Sequence, residues 1–141
     1  MKEFFDTSVL VAAFWRGHTD HASSLKRVSA ARAQTSSCSL HTLAEVYAAM
    51  TALPVKEVIP PEQAWLFVQG VRDRFTAVSP DEDEYYGAIA QAAERGSTGG
   101  RIYDALLLRG AAKIEAGAIY RWNLKHFRAI HPKLADEIRT P

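Results

Sequence analysis

Apolar residues come along this chain in two kinds of block. Runs of three or four bounded by polar residues, as in Lys2-Glu3-Phe4-Phe5, Phe75-Thr76-Ala77-Val78 and Ala118-Ile119-Tyr120, predict short buried strands. Gln34–Ser37 and Phe127–Ile130 are two further strand candidates. Longer blocks with helical spacing lie between them. Asp6-Thr7-Ser8 opens a helix over Val9–Trp15, since Asp, Thr and Ser satisfy the free N–H groups of a first turn. Gly17-His18 breaks it, and Asp20 starts a second helix with Ala22, Leu25, Val28 and Ala31 on one face. Ser39 starts a third, carrying Leu40, Leu43, Ala44, Val46, Tyr47 and Met50 and closed by Leu53-Pro54. Pro60-Pro61-Glu62 starts a fourth, running to about Phe75 and unusually apolar at Trp65, Leu66, Phe67, Val68 and Val71. Ser79, as cap, with Pro80, Asp81 and Glu82 opens a fifth, which carries Tyr85, Tyr86 and Ile89 and stops near Gly96. After the loop Ser97-Thr98-Gly99-Gly100-Arg101, a helix is predicted over Ile102–Ala116 with Gly117 as its C-cap, and the tail to Pro141 reads as polar.

Short apolar strands separated by helices predict an α/β domain: a central, mainly parallel sheet flanked by helices. Ligands of such sheets bind outside the carboxyl ends of the strands. Asp6 and Asn123 each follow a predicted strand, where that rule places a site. The 141 residues fit one domain, residues 1–141, able to bury roughly 70% of the surface of the unfolded chain. The net charge of +1 confines any nucleic-acid surface to a local patch. A single cysteine, Cys38, rules out an internal disulfide and reads as a packing residue. The apolar run near the N-terminus is short, interrupted by Glu3 and Asp6, and followed by no small-residue cleavage site. The expected setting is therefore the reducing cytoplasm. No stretch reaches the ~18 apolar residues of a membrane span.

Three acids stand among apolar neighbours: Asp6 after Phe4-Phe5, Glu45 within Leu43-Ala44-Glu45-Val46-Tyr47, and Asp104 within Ile102-Tyr103-Asp104-Ala105-Leu106. Taken singly, Asp6 and Asp104 have a structural explanation as caps, and Glu45 as the edge of an amphipathic helix. Together they suggest a carboxylate cluster, whose mutual repulsion a divalent cation offsets. Hard oxygen ligands suit Mg²⁺ or Mn²⁺, which activate water and stabilise an attacked phosphate.

These segments resemble the PIN-domain family. Asp6-Thr7-Ser8-Val9-Leu10 after an apolar strand is similar to its opening motif, Glu45 in a Ser-initiated helix to its second acid, and Gly100-Arg101-Ile102-Tyr103-Asp104-Ala105 to its third. Trp122-Asn123-Leu124-Lys125-His126-Phe127 resembles the fourth, and the likeness runs from about Lys2 to Ile130. The short single-domain form looks most like the VapC toxins of prokaryotic toxin–antitoxin pairs. The resemblance implies a three-layer sandwich and an endoribonuclease dependent on Mg²⁺ or Mn²⁺. It also implies a homodimer inhibited by a cognate antitoxin, and products with a 5′-phosphate and a 3′-hydroxyl. Asp6, Glu45 and Asp104 would hold the metal and Asn123 would complete the catalytic set. Thr7, Ser8, Arg101, Arg121 and Lys125 would contact the RNA, with His126 close by. The fourth motif departs from the pattern: Arg121 stands where many relatives carry Thr or Ser, and Asn123 and His126 at positions where many carry an acid. That lowers the charge available for a second metal and favours one tightly held ion.

Three rivals stand beside this reading. A phosphatase or phosphotransferase using Asp6 as nucleophile would want a second acid two residues on, where this chain has Ser8. A catalytically inert PIN-like module would bind RNA or a partner only. A DNA nuclease would use the same phosphodiester chemistry.

Overall fold

The computed structural model describes the chain except for residues 55, 57, 123, 125–131 and 135, and for residue 132 beyond its backbone. The elements are β1 (Glu3–Phe5), α1 (Thr7–Phe14), α2 (His21–Ser29), β2 (Ser36–Ser39), α3 (Leu40–Thr51), α4 (Pro61–Arg74), β3 (Thr76–Val78), α5 (Glu82–Glu94), α6 (Arg101–Lys113), β4 (Ala118–Tyr120) and β5 (Ile138–Arg139). The strands form one parallel sheet in the order β3-β2-β1-β4-β5, flanked by helices as a three-layer α/β sandwich. Parallel neighbours cannot be joined by tight turns, and helices make the connections from β1 through β4.

Alternation along β1 splits the core in two. Phe5 faces α1, α3 and α4, packing with Val9, Leu10, Val46, Met50 and Val71, and meets the Phe75 ring edge-on at 4.9 Å. Phe4 faces the other way, with Leu107, Leu108 and Ala111 of α6 and Ile119 and Ile138 of the sheet. Both phenylalanines are fully buried; each such side chain contributes about 1.5–3 kcal/mol through burial.

Two strand-to-helix corners sit at the carboxyl end of the sheet, each closed by a polar cap. Asp6 accepts from the N–H of Ser8, and Ser39 from that of His41. The predicted corners at Asp6 and Ser39 are thus present with the expected chemistry.

Elsewhere the structure corrects the pattern-based expectations. The second strand is Ser36–Ser39, two residues beyond the predicted Gln34–Ser37, and all four of its residues are buried despite three serines. In α2 the buried positions are Ser24 and Val28, whereas Leu25 and Ala22 are exposed. The α5 cap is Asp81, not Ser79: Asp81 and Glu84 form a reciprocal capping box. The last long helix ends at Lys113, and the residue in left-handed conformation after it is Glu115 (φ 55°), not Gly117. The N–H groups of Glu115 and Ala116 bond back to Ala112 and Ala111, a Schellman closure built without glycine. Gly117 serves a close approach instead, since a Cβ there would lie 2.5 Å from Met1 Cγ. The polar tail contains β5, while the strand expected at Phe127–Ile130 lies outside the described residues.

Candidate active site

The register of the sheet brings the site together. β1 pairs with both β2 and β4, and Phe5 stands opposite Tyr120. Asp6 and Arg121 are therefore the first residues past the ends of adjacent strands, and the Asp6 N–H donates to the Tyr120 carbonyl at 2.9 Å. The chain crosses from β1 towards β2 on one side and places β4 on the other. The end of β1 is thus the switch point where such sheets bind ligands.

Asp6 is buried and tightly oriented. Its Oδ2 accepts from the Ser8 N–H at 3.1 Å and from the Ser8 hydroxyl at 2.6 Å. The same hydroxyl accepts from the Trp122 N–H at 3.2 Å, tying the α1 corner to the segment after β4. Thr7, one residue into α1, donates its hydroxyl to Glu45 Oε1 across 3.3 Å and lies 3.0 Å from the hydroxyl of buried Thr42. Glu45 comes from the second turn of α3, with His41 Nε2 one turn back at 4.0 Å. Asp104 comes from the first turn of α6, its side chain 34% exposed, between buried Asp6 and the more open Glu45 at 44%.

The Glu45 carboxyl is pushed above its usual range, first by burial. His41 and the Thr7 hydroxyl pull it down; the charges of Asp6 and Asp104 push it up. Glu45 thus feels both of the other acids, as a carboxylate sharing a site with them must. Arg121 partly offsets that repulsion. Its guanidinium is largely buried, with Nε 3.5 Å from Asp6 Oδ2 and one terminal nitrogen 3.7 Å from Asp104 Oδ1.

The chemistry of the donors fits a hard divalent cation: the oxygens come from three carboxylates, with hydroxyls behind two of them. Asp6 and Asp104 already converge on a single cationic group. A finished cage is not preformed, since among the described residues no three acidic, histidine or cysteine side chains converge closely enough to hold an ion.

The remaining predicted residues fall as follows. Thr7 and Ser8 are engaged with carboxylates, and Arg101 is the exposed first residue of α6. Arg121, expected as an RNA contact, stands between two of the acids. Asn123, Lys125 and His126 lie outside the described residues. Burial pushes the Cys38 thiol up to about 12, so it is un-ionised at neutral pH and inert as a nucleophile. The Trp122 indole is fixed in place by its Nε1, which donates to the Ser24 hydroxyl at 3.0 Å. Thr42, Ser24 and the Trp122 N–H were not foreseeable as parts of the site, because their roles arise only from contacts across the fold. Beside Glu45 runs a cavity of about 360 Å³, lined among others by Leu40, His41, Tyr85, Tyr103 and Leu107. The His41 and Tyr103 rings face each other there at 6.5 Å.

The sequence matches the model of the family described as PIN domain over residues 4–121. Among solved structures, one of VapBC-1 from nontypeable Haemophilus influenzae is similar in fold, with a TM-score of 0.63. The match is 18% identical and covers 99% of this chain and 98% of that one. Comparison with curated proteins finds no match.

Proposed function

The chain belongs to the PIN-domain family, whose members are generally divalent-metal-dependent nucleases, and from that premise we propose that it is a metal-dependent endoribonuclease, the toxin of a toxin–antitoxin pair. The observation that carries this reading is geometric: at the carboxyl end of the parallel sheet Asp6 and Asp104 face the same guanidinium, and Thr7, next to Asp6, hydrogen-bonds Glu45. A structural role for each acid alone does not account for three carboxylates sharing one site. The groove beside Glu45, with its aromatic rings, supports single-stranded RNA as substrate, because unpaired bases stack on such surfaces.

In this reading Asp6, Glu45 and Asp104 hold Mg²⁺ or Mn²⁺, with Asn123 completing the set. The ion, when bound, supplies a Lewis acid for the phosphate and makes water acidic enough to attack it. Ser8 fixes the Asp6 carboxylate by two hydrogen bonds, so it meets its ligand without reorganising. Thr7 orients Glu45 Oε1. Arg101 and Lys125 contact the RNA backbone. The expected products carry a 5′-phosphate and a 3′-hydroxyl.

Apolar surface remains for protein partners. Trp65 and Leu66 on α4, and Tyr85, Tyr86 and Ile89 on α5, are exposed, as expected of a protein that forms a homodimer and binds an antitoxin. No helix among the described residues is long and apolar enough to cross a membrane, and the site of action proposed is the cytoplasm.

The test is cleavage of total cellular RNA and of a matched DNA pool with Mg²⁺, Mn²⁺ or EDTA, beside the Asp104→Asn variant. Discrete RNA cuts that need both metal and Asp104 are expected. The ion pairs of Arg121 favour a second reading, an inert module that only binds RNA. RNA binding by folded, antitoxin-free protein without metal-dependent cleavage would establish it instead.

A further inference from the structure

Arg121 is the first residue past β4, and the sheet register delivers it to Asp6. Its side chain is only 15% exposed, so its charge is spent inside the site and not on solvent. Towards the two acids its geometry is that of a counter-charge. The single hydrogen of Nε goes to the Trp122 carbonyl at 3.0 Å, and the Asp6 oxygen nearest to it is already served twice by Ser8. The separations of 3.5 Å and 3.7 Å exceed the 2.7–2.9 Å typical of a charge-assisted hydrogen bond. A guanidinium placed between two carboxylates neutralises part of their charge and occupies ground that a divalent cation would need.

We propose that Arg121 is a resident counter-ion of the acidic site: its guanidinium stands between Asp6 and Asp104 and competes with the divalent cation, which binds when the guanidinium withdraws. The proposal rests on the metal-site reading above. It assigns Arg121 a positioning role towards the carboxylates and makes metal affinity, not chemistry, the quantity it controls. With Arg121 in place the protein holds its carboxylates together without metal; a dication meeting the site must first overcome the repulsion of a buried positive charge.

The test is direct binding of Mn²⁺ to the full chain, read from the loss of the free-ion electron paramagnetic resonance signal, with no RNA present. Arg121→Gln is expected to bind Mn²⁺ at least tenfold more tightly than the wild type, and Arg121→Lys, which keeps the charge, within about threefold of it. Equal or weaker binding by Arg121→Gln, with wild-type binding that still depends on Asp104, overturns the proposal and leaves the metal site standing. No Mn²⁺ binding by either protein overturns both. Should Arg121→Gln fail to fold, the wild type decides. Saturating Mg²⁺ is expected to speed solvent exchange of the Arg121 Nε proton, identified by its absence from Arg121→Lys. Unchanged exchange on saturation refutes the displacement.

Discussion

Two acidic clusters in this molecule meet their cations in opposite ways. At the start of α5, Asp81 and Glu84 close a capping box, and Glu84 takes the Lys113 ammonium at 2.8 Å. The hydrogen bond from Lys113 and the Asp81 N–H pull the Glu84 carboxyl down to about 2. At the end of β1, Arg121 stands 3.5 Å from Asp6 and 3.7 Å from Asp104, and the third acid, Glu45, is moved up by burial and by the charges of the other two. The α5 cluster is electrostatically satisfied and has nothing left to bind. The β1 cluster gathers three carboxylates in one site, and such crowding of negative charge is what draws in a further ligand. An acidic patch is informative about function when a member is pushed up by its fellows, and less so when a cation at hydrogen-bond distance neutralises it.

The most drastic way to break this comparison is to neutralise one acid in each cluster. Asp6→Asn keeps the shape of a buried side chain while removing its charge. Cleavage of RNA is expected to fall by more than the roughly 100-fold lost when a group that merely supports a metal ligand is removed. Glu84→Gln is expected to cleave at the wild-type rate. Initial rates of cleavage at fixed Mn²⁺, with circular dichroism as a check on folding, distinguish the two. Equal losses would erase the distinction between the clusters.

A smaller effect is expected from Ser8→Ala. The Ser8 hydroxyl joins Asp6 Oδ2 to the Trp122 N–H, so its loss frees one carboxylate lone pair and one backbone donor. The expectation is a 10–100-fold drop in cleavage and a destabilisation of about 1–2 kcal/mol, measured by urea unfolding. A loss of stability with full activity would make Ser8 a helix cap only.

The same contrast explains what the sequence disclosed. Phe4-Phe5-Asp6 is legible because an apolar strand followed by a capping acid leaves a local imprint; Ser39 is legible as a cap, and Asp104 because it interrupts an apolar stretch without capping α6. The second strand was misplaced because Ser36, Ser37 and Ser39 are buried by their position between two strands, which no hydrophobic pattern announces. β5 was missed because Ile138 is its one buried residue amid polar neighbours. Leu25 was assigned to a buried face, yet the face chosen by packing runs through Ser24, whose hydroxyl receives the Trp122 indole. Arg121 was visible as a departure from the family's fourth motif. Its position between Asp6 and Asp104 follows from the pairing of Phe5 with Tyr120, a long-range fact no local pattern carries.

Glu45 offers a milder perturbation, read in metal-free protein. Its pKa is raised on folding, so the folded state binds the Glu45 proton more tightly than the unfolded chain does. The penalty for ionised Glu45 is therefore fully present above the raised pKa and relieved as pH falls towards the ordinary carboxylate range. Glu45→Gln should melt higher than the wild type at pH 7 in EDTA, by on the order of 1–3 °C, since the side chain is only half-buried and its field is screened. The gap should close as the pH is lowered through the raised pKa. A variant that melts lower at pH 7 would mean that the hydrogen bond from Thr7 outweighs the crowding.

The smallest effect is expected where the charges are best paired. The Glu84 pKa is lowered from 4.5 to about 2, so its contribution to stability is present above the ordinary value and lost as pH falls towards 2. Gln at this position still reaches back to the cap N–H, so Glu84→Gln isolates the charge on Lys113 from the capping geometry. The pair is exposed, which limits the expected difference in melting temperature at pH 7 to under about 2 °C, shrinking further in 1 M NaCl. Scans between pH 5 and 2 should show that difference vanish, opposite in sign to the one at Glu45. Two substitutions of a glutamate by its amide, one raising and one lowering the melting temperature at neutral pH, would separate a carboxylate poised for a ligand from one already satisfied. If both lowered it, the crowding inferred around Glu45 would have no energetic reality.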